Sequence, residues 1–523
     1  MVGALADRHR NHQPPADDGP VQLRRVRRHQ RLPGPAFSPV SYDWLVIGGG
    51  ASGLTAAVLL AQEGRRVALV EKSPRLAPLL RGFRRGNFHF DTGFHYSGGL
   101  GQGEILDLFF RHLGVSERLR TTPFDLTGFD RVREPGQAEF AFPVGEERLE
   151  ERLCREFPGQ EKAVSGYLAE VRRACAVHPY LDLDAPLAGS GALFGLDGTS
   201  LRKMLSRWTD LPRLRRLLAV HTLLYGVPPE EAPFRLHASV VGPYYQSVHG
   251  LVGGGLALAE AFTARLAELG VDIFLGRGVR ELLFTPAGTL RGARLEDETV
   301  VETRGCVATL HPTLLPALLP EGVFRPIYRR RLLALEDSLP AFTLYGVCRK
   351  PNDLLRGRNI FLLGPLKKGL EDSIYLTAAD NGPGSGSGLI AIAPVPSGAV
   401  ERWKDSVAGR RPAGYEAYKA EQAAQLVRRI EEGCPELGGI EVMATATALT
   451  MRDYLHTPKG GLYGVRHRLG QYNPQPRTRV ANLLLAGQGV AAPGVLGAVL
   501  SGFLTCGEVI GHERLRERVK ACR

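Results

Sequence analysis

The sequence predicts an α/β protein: a Rossmann-like dinucleotide-binding domain cut into three segments, with an α+β domain inserted between them. Three observations carry this. An apolar run, 44–47, leads into Gly48, Gly50 and Gly53 at G-x-G-x-x-G spacing, and then into the small and aliphatic run 54–61. A second apolar run, 66–70, ends on Glu71, eighteen residues past Gly53. Near the other end, the apolar run 482–486 passes through a Gly-rich turn into another helical stretch.

In chain order, residues 1–40 contain Arg24, Arg25, Arg27 and Arg28, several prolines and few large apolar side chains. Such a segment cannot bury enough surface to fold. It reads as a disordered basic tail, or as an upstream extension from a misjudged start codon. Asp7, Asp17 and Asp18 argue against a transit peptide. The first dinucleotide segment spans 41–135. A mostly helical insertion spans 136–250, with helical periodicity over 147–176 and a block over 200–224 broken at Pro212. The second dinucleotide segment, 251–320, opens with a helix to Leu269, stopped at Gly270, and continues in strands. A sheet with helices on one face spans 321–475, and the third dinucleotide segment is 476–523.

The glycines have distinct jobs. Gly48 permits the tight turn, Gly50 lets a pyrophosphate reach the backbone, and Gly53 lets the helix pack close to the strand. Free N–H groups at the helix start face the phosphates. Glu71 stands where a ribose hydroxyl needs an acceptor. At the C-terminal end, Pro493 suits the first position of a helix whose positive end favours a negative ligand group. A reduced flavin carries such a charge, which moves the expected cofactor from NAD to FAD.

Composition sets limits on partners. The formal net charge is +12 and the hydrophobic fraction 44%. No nucleic-acid motif accompanies the charge, so the expected use is attraction to an anionic membrane surface. The seven cysteines are odd in number and none lie at C-x-x-C spacing, which argues against a disulfide framework or a zinc site. A cytoplasmic protein, peripheral to the inner face of a membrane, fits these features. No metal is expected. The sequence names neither an electron donor or acceptor nor an oligomeric state.

The glycine motif, the run 90–96 (Phe-Asp-Thr-Gly-Phe-His-Tyr), the helix 253–269 and the terminal segments 486–489 and 493–498 resemble the FAD-dependent phytoene desaturase, carotenoid isomerase and retinol saturase group, in family order. The Asp-Thr-Gly-x-His-Tyr run and the segments 452–458 and 461–464 most resemble the retinol saturase branch. The resemblance implies a split FAD domain of amine-oxidase-like architecture with a substrate domain over the flavin. It places Gly48, Gly50, Ser52, Gly53, Glu71 and Lys72 on the ADP half, Val279 against adenine through its backbone, and Gly487, Pro493, Val495 and Leu496 under the flavin. In place of the Gly-Gly that many members carry after the acid, this chain has Ala77-Pro78-Leu79-Leu80-Arg81, so the path of that loop and the place of Arg81 at the cofactor are open.

His95 and Tyr96 are the candidate catalytic residues. His95 either faces the flavin and relays a proton, with the rate titrating near the imidazole pKa as shifted by burial and Asp91, or caps the turn and pairs with Asp91. Arg452 and Asp453 read as an ion pair. Tyr244 and Tyr245 either line the pocket or pack. The expected activity is FAD-dependent oxidation or reduction at carbon–carbon double bonds of an apolar isoprenoid polyene, by saturation, desaturation or redox-neutral isomerisation. The alternatives are an FAD-dependent amine oxidase, which needs an aromatic sandwich at the flavin, and a prenyl-binding escort protein, which has no use for a dinucleotide.

Overall fold

A computed structural model describes residues 41–187, 198–350, 353–379 and 387–523. The tail expected over 1–40 lies outside the described residues.

Five parallel strands form the centre of the first sheet, in the order Leu483–Leu485, Val300–Ala308, Tyr42–Ile47, Val67–Glu71 and Asp272–Leu275. Leu45, Val46, Ala68, Leu69 and Val307 are fully buried. Apolar side chains on both faces are what a parallel sheet covered on both sides requires. Two antiparallel strands, Val279–Phe284 and Leu290–Leu295, extend it from the first residues of Val300–Ala308. The sequence reads as two short strands across 299–310; the structure has one of nine residues. Arg304-Gly305 suggests a break, but the strand runs on because Thr303 to Ala308 pair in parallel with Tyr42–Ile47, and Gly305 leaves room for the Trp44 ring.

Helix Ala51–Gln62 follows the first strand and buries Ser52 to Leu60. Helix Gly494–Ile510 packs across it, with Gly502 so close that a β-carbon there would lie 2.6 Å from Thr55 Cγ2. Helix Gly254–Glu268 returns to the same core through Leu258, Phe262 and Leu266.

The second sheet has seven strands, in the order Ile440–Ala446, Ala341–Cys348, Gly388–Pro394, Ser373–Ala378, Asn359–Leu363, Asp130–Arg133 and Phe140–Phe142. All pairs are antiparallel except Asn359–Leu363 with Asp130–Arg133. The boundary expected at 135 falls later than the start of the second sheet: Asp130–Arg133 already belongs to that sheet, because its partner strand arrives from 229 residues downstream. Helix Ala413–Gly433 covers one face through Ala423, Leu426 and Ile430.

Against the other face lie helices Glu146–Glu156, Glu161–Ala176, Leu201–Trp208, Pro212–Ala219 and Phe234–Gln246. Ser200 caps Leu201–Trp208, its Oγ accepting the Lys203 N–H at 3.2 Å. Pro212 starts a helix rather than only breaking one, since the first turn needs no N–H from it. Phe234–Gln246 is the element that periodicity hides. Its Pro243 falls in the last turn, and Gly242 lets Cys175 of Glu161–Ala176 approach its backbone.

Candidate functional site

The glycine turn connects strand Tyr42–Ile47 to helix Ala51–Gln62, and its three glycines separate by geometry. Gly48 has φ +104°, and a β-carbon there would strike Thr309 Oγ1. A β-carbon at Gly53 would overlap the Gly48 carbonyl oxygen. Gly50 is different. It has φ −75° and ψ 176°, open to any residue, and a β-carbon there meets no protein atom within 4 Å. Gly48 and Gly53 are therefore needed by the protein itself, while the space at Gly50 opens into a cavity.

That cavity has a volume of about 880 Å³ and an apolar-dominated wall. At one end lie Gly48, Gly50, Ser52, Glu71, Lys72 and Val279. Glu71 is buried at the end of its strand, and its carboxylate accepts the Gly49 N–H at 2.6 Å and the Ser73 N–H at 2.7 Å. Two backbone donors thus fix the rotamer and leave acceptor capacity for a hydroxyl. Lys72 pairs with Glu296 at 2.8 Å on the cavity rim. Gly487, Pro493, Val495 and Leu496 form the next part of the wall. Pro493 sits at the N-cap, one residue before the position expected for it, so the first N–H groups of the seventeen-residue helix begin just after it.

Arg81 is a correction. Its Nε donates to the Leu76 carbonyl at 2.7 Å, and its Nη2 lies 3.5 Å from Thr263 Oγ1 on helix Gly254–Glu268. The guanidinium is drawn to that carbonyl and helix, and Arg81 is not among the described residues that line the cleft. Its neighbours Ala77, Pro78, Leu79 and Leu80 do line it. Ala77 takes the left-handed conformation, φ +51°. Thr92 Oγ1 clamps this loop by donating to the Leu79 carbonyl at 2.6 Å.

Asp91 Oδ1 accepts the Gly255 N–H at 3.1 Å at the start of helix Gly254–Glu268, and His89 Nε2 lies 3.6 Å away. A carboxylate there complements the positive end of the helix. His95 lines the far part of the cavity with Tyr96, Tyr244, Tyr375 and Tyr463. Burial lowers the His95 pKa to about 4, so the imidazole is neutral at physiological pH. Burial thus carries the expected titration from the ordinary imidazole value well into acid. Burial also pushes the phenols of Tyr96, Tyr244, Tyr375 and Tyr463 up, so each keeps its proton.

Tyr96 forms a wall rather than a free donor. Its ring stacks with Phe124 at 5.4 Å between centroids, and its hydroxyl donates to Asp130 at 2.9 Å. Asp130 also accepts from Asn359 at 2.8 Å and lies 2.9 Å from His221 Nε2. Tyr244 lines the cavity, with its hydroxyl 3.3 Å from the Tyr96 carbonyl, while Tyr245 is core, packed against Tyr167. Arg452 and Asp453 are an ion pair at 2.9 Å. Sequence reading missed Thr309, Tyr375 and Tyr463. Thr309 carries a readable signal, since it ends a strand beside the glycine turn; the two tyrosines sit in ordinary strand or loop contexts.

Among the described residues, no cluster of His, Cys, Asp or Glu could hold a metal ion, and no helix is long and apolar enough to cross a membrane. FAD fits the cleft on the protein's own terms: the space at Gly50 would admit a pyrophosphate, the Glu71 carboxylate has acceptor capacity for a ribose hydroxyl, and the start of Gly494–Ile510 would favour a ring that gains negative charge.

The parallel sheet, the glycine turn and the cleft above it are those of a dinucleotide-binding protein. The family model for flavin containing amine oxidoreductase matches residues 51–510, and the chain belongs to that family. It is an FAD-dependent oxidoreductase. It is similar to all-trans-retinol 13,14-reductase of Rattus norvegicus, 24% identical over 92% of this chain and 88% of the relative. It is also similar to a 4,4'-diapophytoene desaturase of Staphylococcus aureus, 21% identical over 83% of this chain and 91% of the relative. Among solved structures, putrescine oxidase bound to putrescine shares the fold, with a TM-score of 0.61, 17% identity, and coverage of 90% of this chain and 99% of that one.

Proposed function

We propose that this flavoenzyme saturates a carbon–carbon double bond of an apolar isoprenoid polyene. The observation that carries the reading is the continuity of one cleft from Gly50 and Glu71, past the start of Gly494–Ile510, to a far end lined by Leu224, Ile392 and Leu462 with the tyrosines. The resemblance of the 90–96 run to the retinol saturase branch, and the retinol reductase relative, favour saturation over desaturation or isomerisation.

FAD, when bound, supplies hydride exchange with a substrate carbon. The protein's own residues do the rest. Gly50 and the first turn of Ala51–Gln62 hold phosphate, and Glu71 orients the ribose. Leu224, Ile392 and Leu462 exclude water from the reacting bond. Saturation also delivers a proton to the neighbouring carbon; water is its source, and His95, neutral in the same wall, relays it by taking a proton at one ring nitrogen as it gives one from the other. Tyr96, held by Asp130, shapes the wall against which the polyene lies.

An amine substrate fits this end of the cleft poorly. Among the described lining residues the acids are Glu71 and Glu296, both at the dinucleotide end, so no carboxylate there meets an ammonium group. We also propose peripheral association with a membrane, from which an apolar substrate is drawn.

The test is anaerobic incubation of the purified holoenzyme with all-trans-retinol, a panel of carotenoids and a panel of amines, once with the flavin reduced and once with it oxidised in the presence of an artificial electron acceptor. A product two hydrogens heavier supports saturation. A loss of two hydrogens, or unchanged mass with new retention, would reassign the direction. Oxidation of amines with no change to any polyene would overturn the reading.

A further inference from the structure

A second chamber of about 530 Å³ adjoins the cleft, and both are lined by Leu224, Tyr375, Ile392, Leu462 and Tyr463. The shared wall is apolar and aromatic. The rest of the chamber is not: five cationic residues line it against two acids. Most of these cations already have protein partners. Arg202 pairs with Glu230 at 3.5 Å, Arg215 with Asp210 at 2.5 Å and Lys368 with Asp372 at 3.3 Å.

Arg216 stands apart. Its side chain is 7% exposed, and its Nη1 lies 3.4 Å from Glu134, a carboxylate that Arg213 also holds at 3.2 Å. The Arg216 Nε and Nη2 are buried with no hydrogen-bond partner among the described residues. Ser373 Oγ, on the sheet strand that carries Tyr375, is likewise buried and without a partner. Both residues line this chamber. Buried donors are paired in native proteins, and a guanidinium that shares one carboxylate while its Nε and Nη2 go unbonded is under-satisfied. Those donors and the Ser373 hydroxyl, on residues that both line the chamber, call for acceptor oxygens carrying negative charge.

We infer that this chamber receives the head group of the substrate, and that the head group is a carboxylate on an apolar chain threading past Tyr375 and Tyr463 towards the flavin. The inference rests on the polyene reading above and deepens it: the enzyme takes an acidic amphiphile rather than a hydrocarbon. Arg216 and Ser373 hold the oxygens, and the apolar shared wall excludes the head group from the cleft. The chain is thereby placed in one direction.

The holoenzyme is titrated at pH 8 with cis-parinaric acid, a fluorescent polyene carboxylic acid, and with its methyl ester. The acid should bind about ten- to hundredfold tighter, the range of hydrogen bonds to a charged group. Arg216→Met should bring the acid to within about threefold of the ester, and Ser373→Ala should remove a smaller part of the preference. Flavin content and thermal midpoint report whether each variant has folded.

Equal binding of acid and ester by the wild type would overturn the inference. So would a folded Arg216→Met that keeps the preference, or a preference lost in Lys367→Met/Lys368→Met alone, which would put the head group at the mouth. Displacement by submicellar dihexanoyl phosphatidylglycerol at concentrations below those needed for the acid would assign the chamber to a lipid headgroup instead. Absence of any polyene product with the acid preference intact would sink the proposed reaction and leave this site standing. Polyene turnover with equal binding would sink the head-group assignment alone.

Discussion

Gly50→Val separates the cofactor's need for space from the protein's. At φ −75° and ψ 176° the valine backbone is unstrained, and its β-carbon meets no protein atom within 4 Å. The cost to the protein is the poorer helix N-cap, about 1 kcal/mol. The smaller entropy of the unfolded chain offsets roughly 0.4–1 kcal/mol of that. Stability of the flavin-free protein should thus stay within about 1 kcal/mol of wild type. The pyrophosphate, by contrast, loses its approach to the backbone. Two charge-assisted hydrogen bonds, at about 1.5–3 kcal/mol each, amount to roughly a hundred- to ten-thousandfold in FAD affinity or more. Gly53→Ala is the control, since its β-carbon overlaps the Gly48 carbonyl and should unseat the turn itself. The assay is the ratio of flavin to protein absorbance on purification, with thermal midpoints compared after flavin removal. A yellow Gly50→Val protein with full flavin content would refute the site. A flavin-free midpoint as low as that of Gly53→Ala would refute the geometric separation.

Three further outcomes follow from the structure. Ala77→Gly should lie within about 1 kcal/mol of wild type by chemical denaturation: relief of the left-handed backbone, about 1–2 kcal/mol, offsets the lost methyl and added chain entropy, whereas Ala57→Gly, in the middle of a buried helix, should cost about 2 kcal/mol. His95→Gln should keep FAD and slow turnover about a hundredfold or more if the imidazole handles the proton; an unchanged rate per bound flavin would remove it from the reaction. Because burial lowers its pKa from the ordinary 6.5 to about 4, its contribution to stability is whole above pH 6.5 and lost as pH falls towards 4. The variant should therefore be less acid-sensitive in that window, by about 3 kcal/mol, and the wild-type rate should show no His95 titration between pH 6 and 8. Finally, Leu366, 48% exposed beside Lys367 and Lys368 at the mouth of the second chamber, should support binding to anionic vesicles that weakens with salt; binding that survives high salt would contradict a peripheral, partly electrostatic contact.

The dinucleotide half of the protein was legible in the sequence because its determinants are local. Gly48, Gly50, Gly53 and Glu71 lie within one strand–turn–helix–strand unit, and their spacing alone sets where the phosphate and ribose go. Helix Gly254–Glu268 and the closing helix announced themselves by apolar periodicity and by Gly and Pro at their ends. What the sequence could not settle were the pairings made across the chain. Asp130–Arg133 pairs in register with a strand 229 residues downstream, so its neighbourhood is invisible to any local pattern. Asp91, four residues from His95, caps a helix that begins 163 residues later. Arg81 reaches a carbonyl and a distant helix. Arg216 and Ser373 come together only because a helix of the insertion packs against the second sheet. Local spacing fixes which backbone groups a turn presents; only tertiary packing decides which side chains lose their water, and so which are left to meet a ligand.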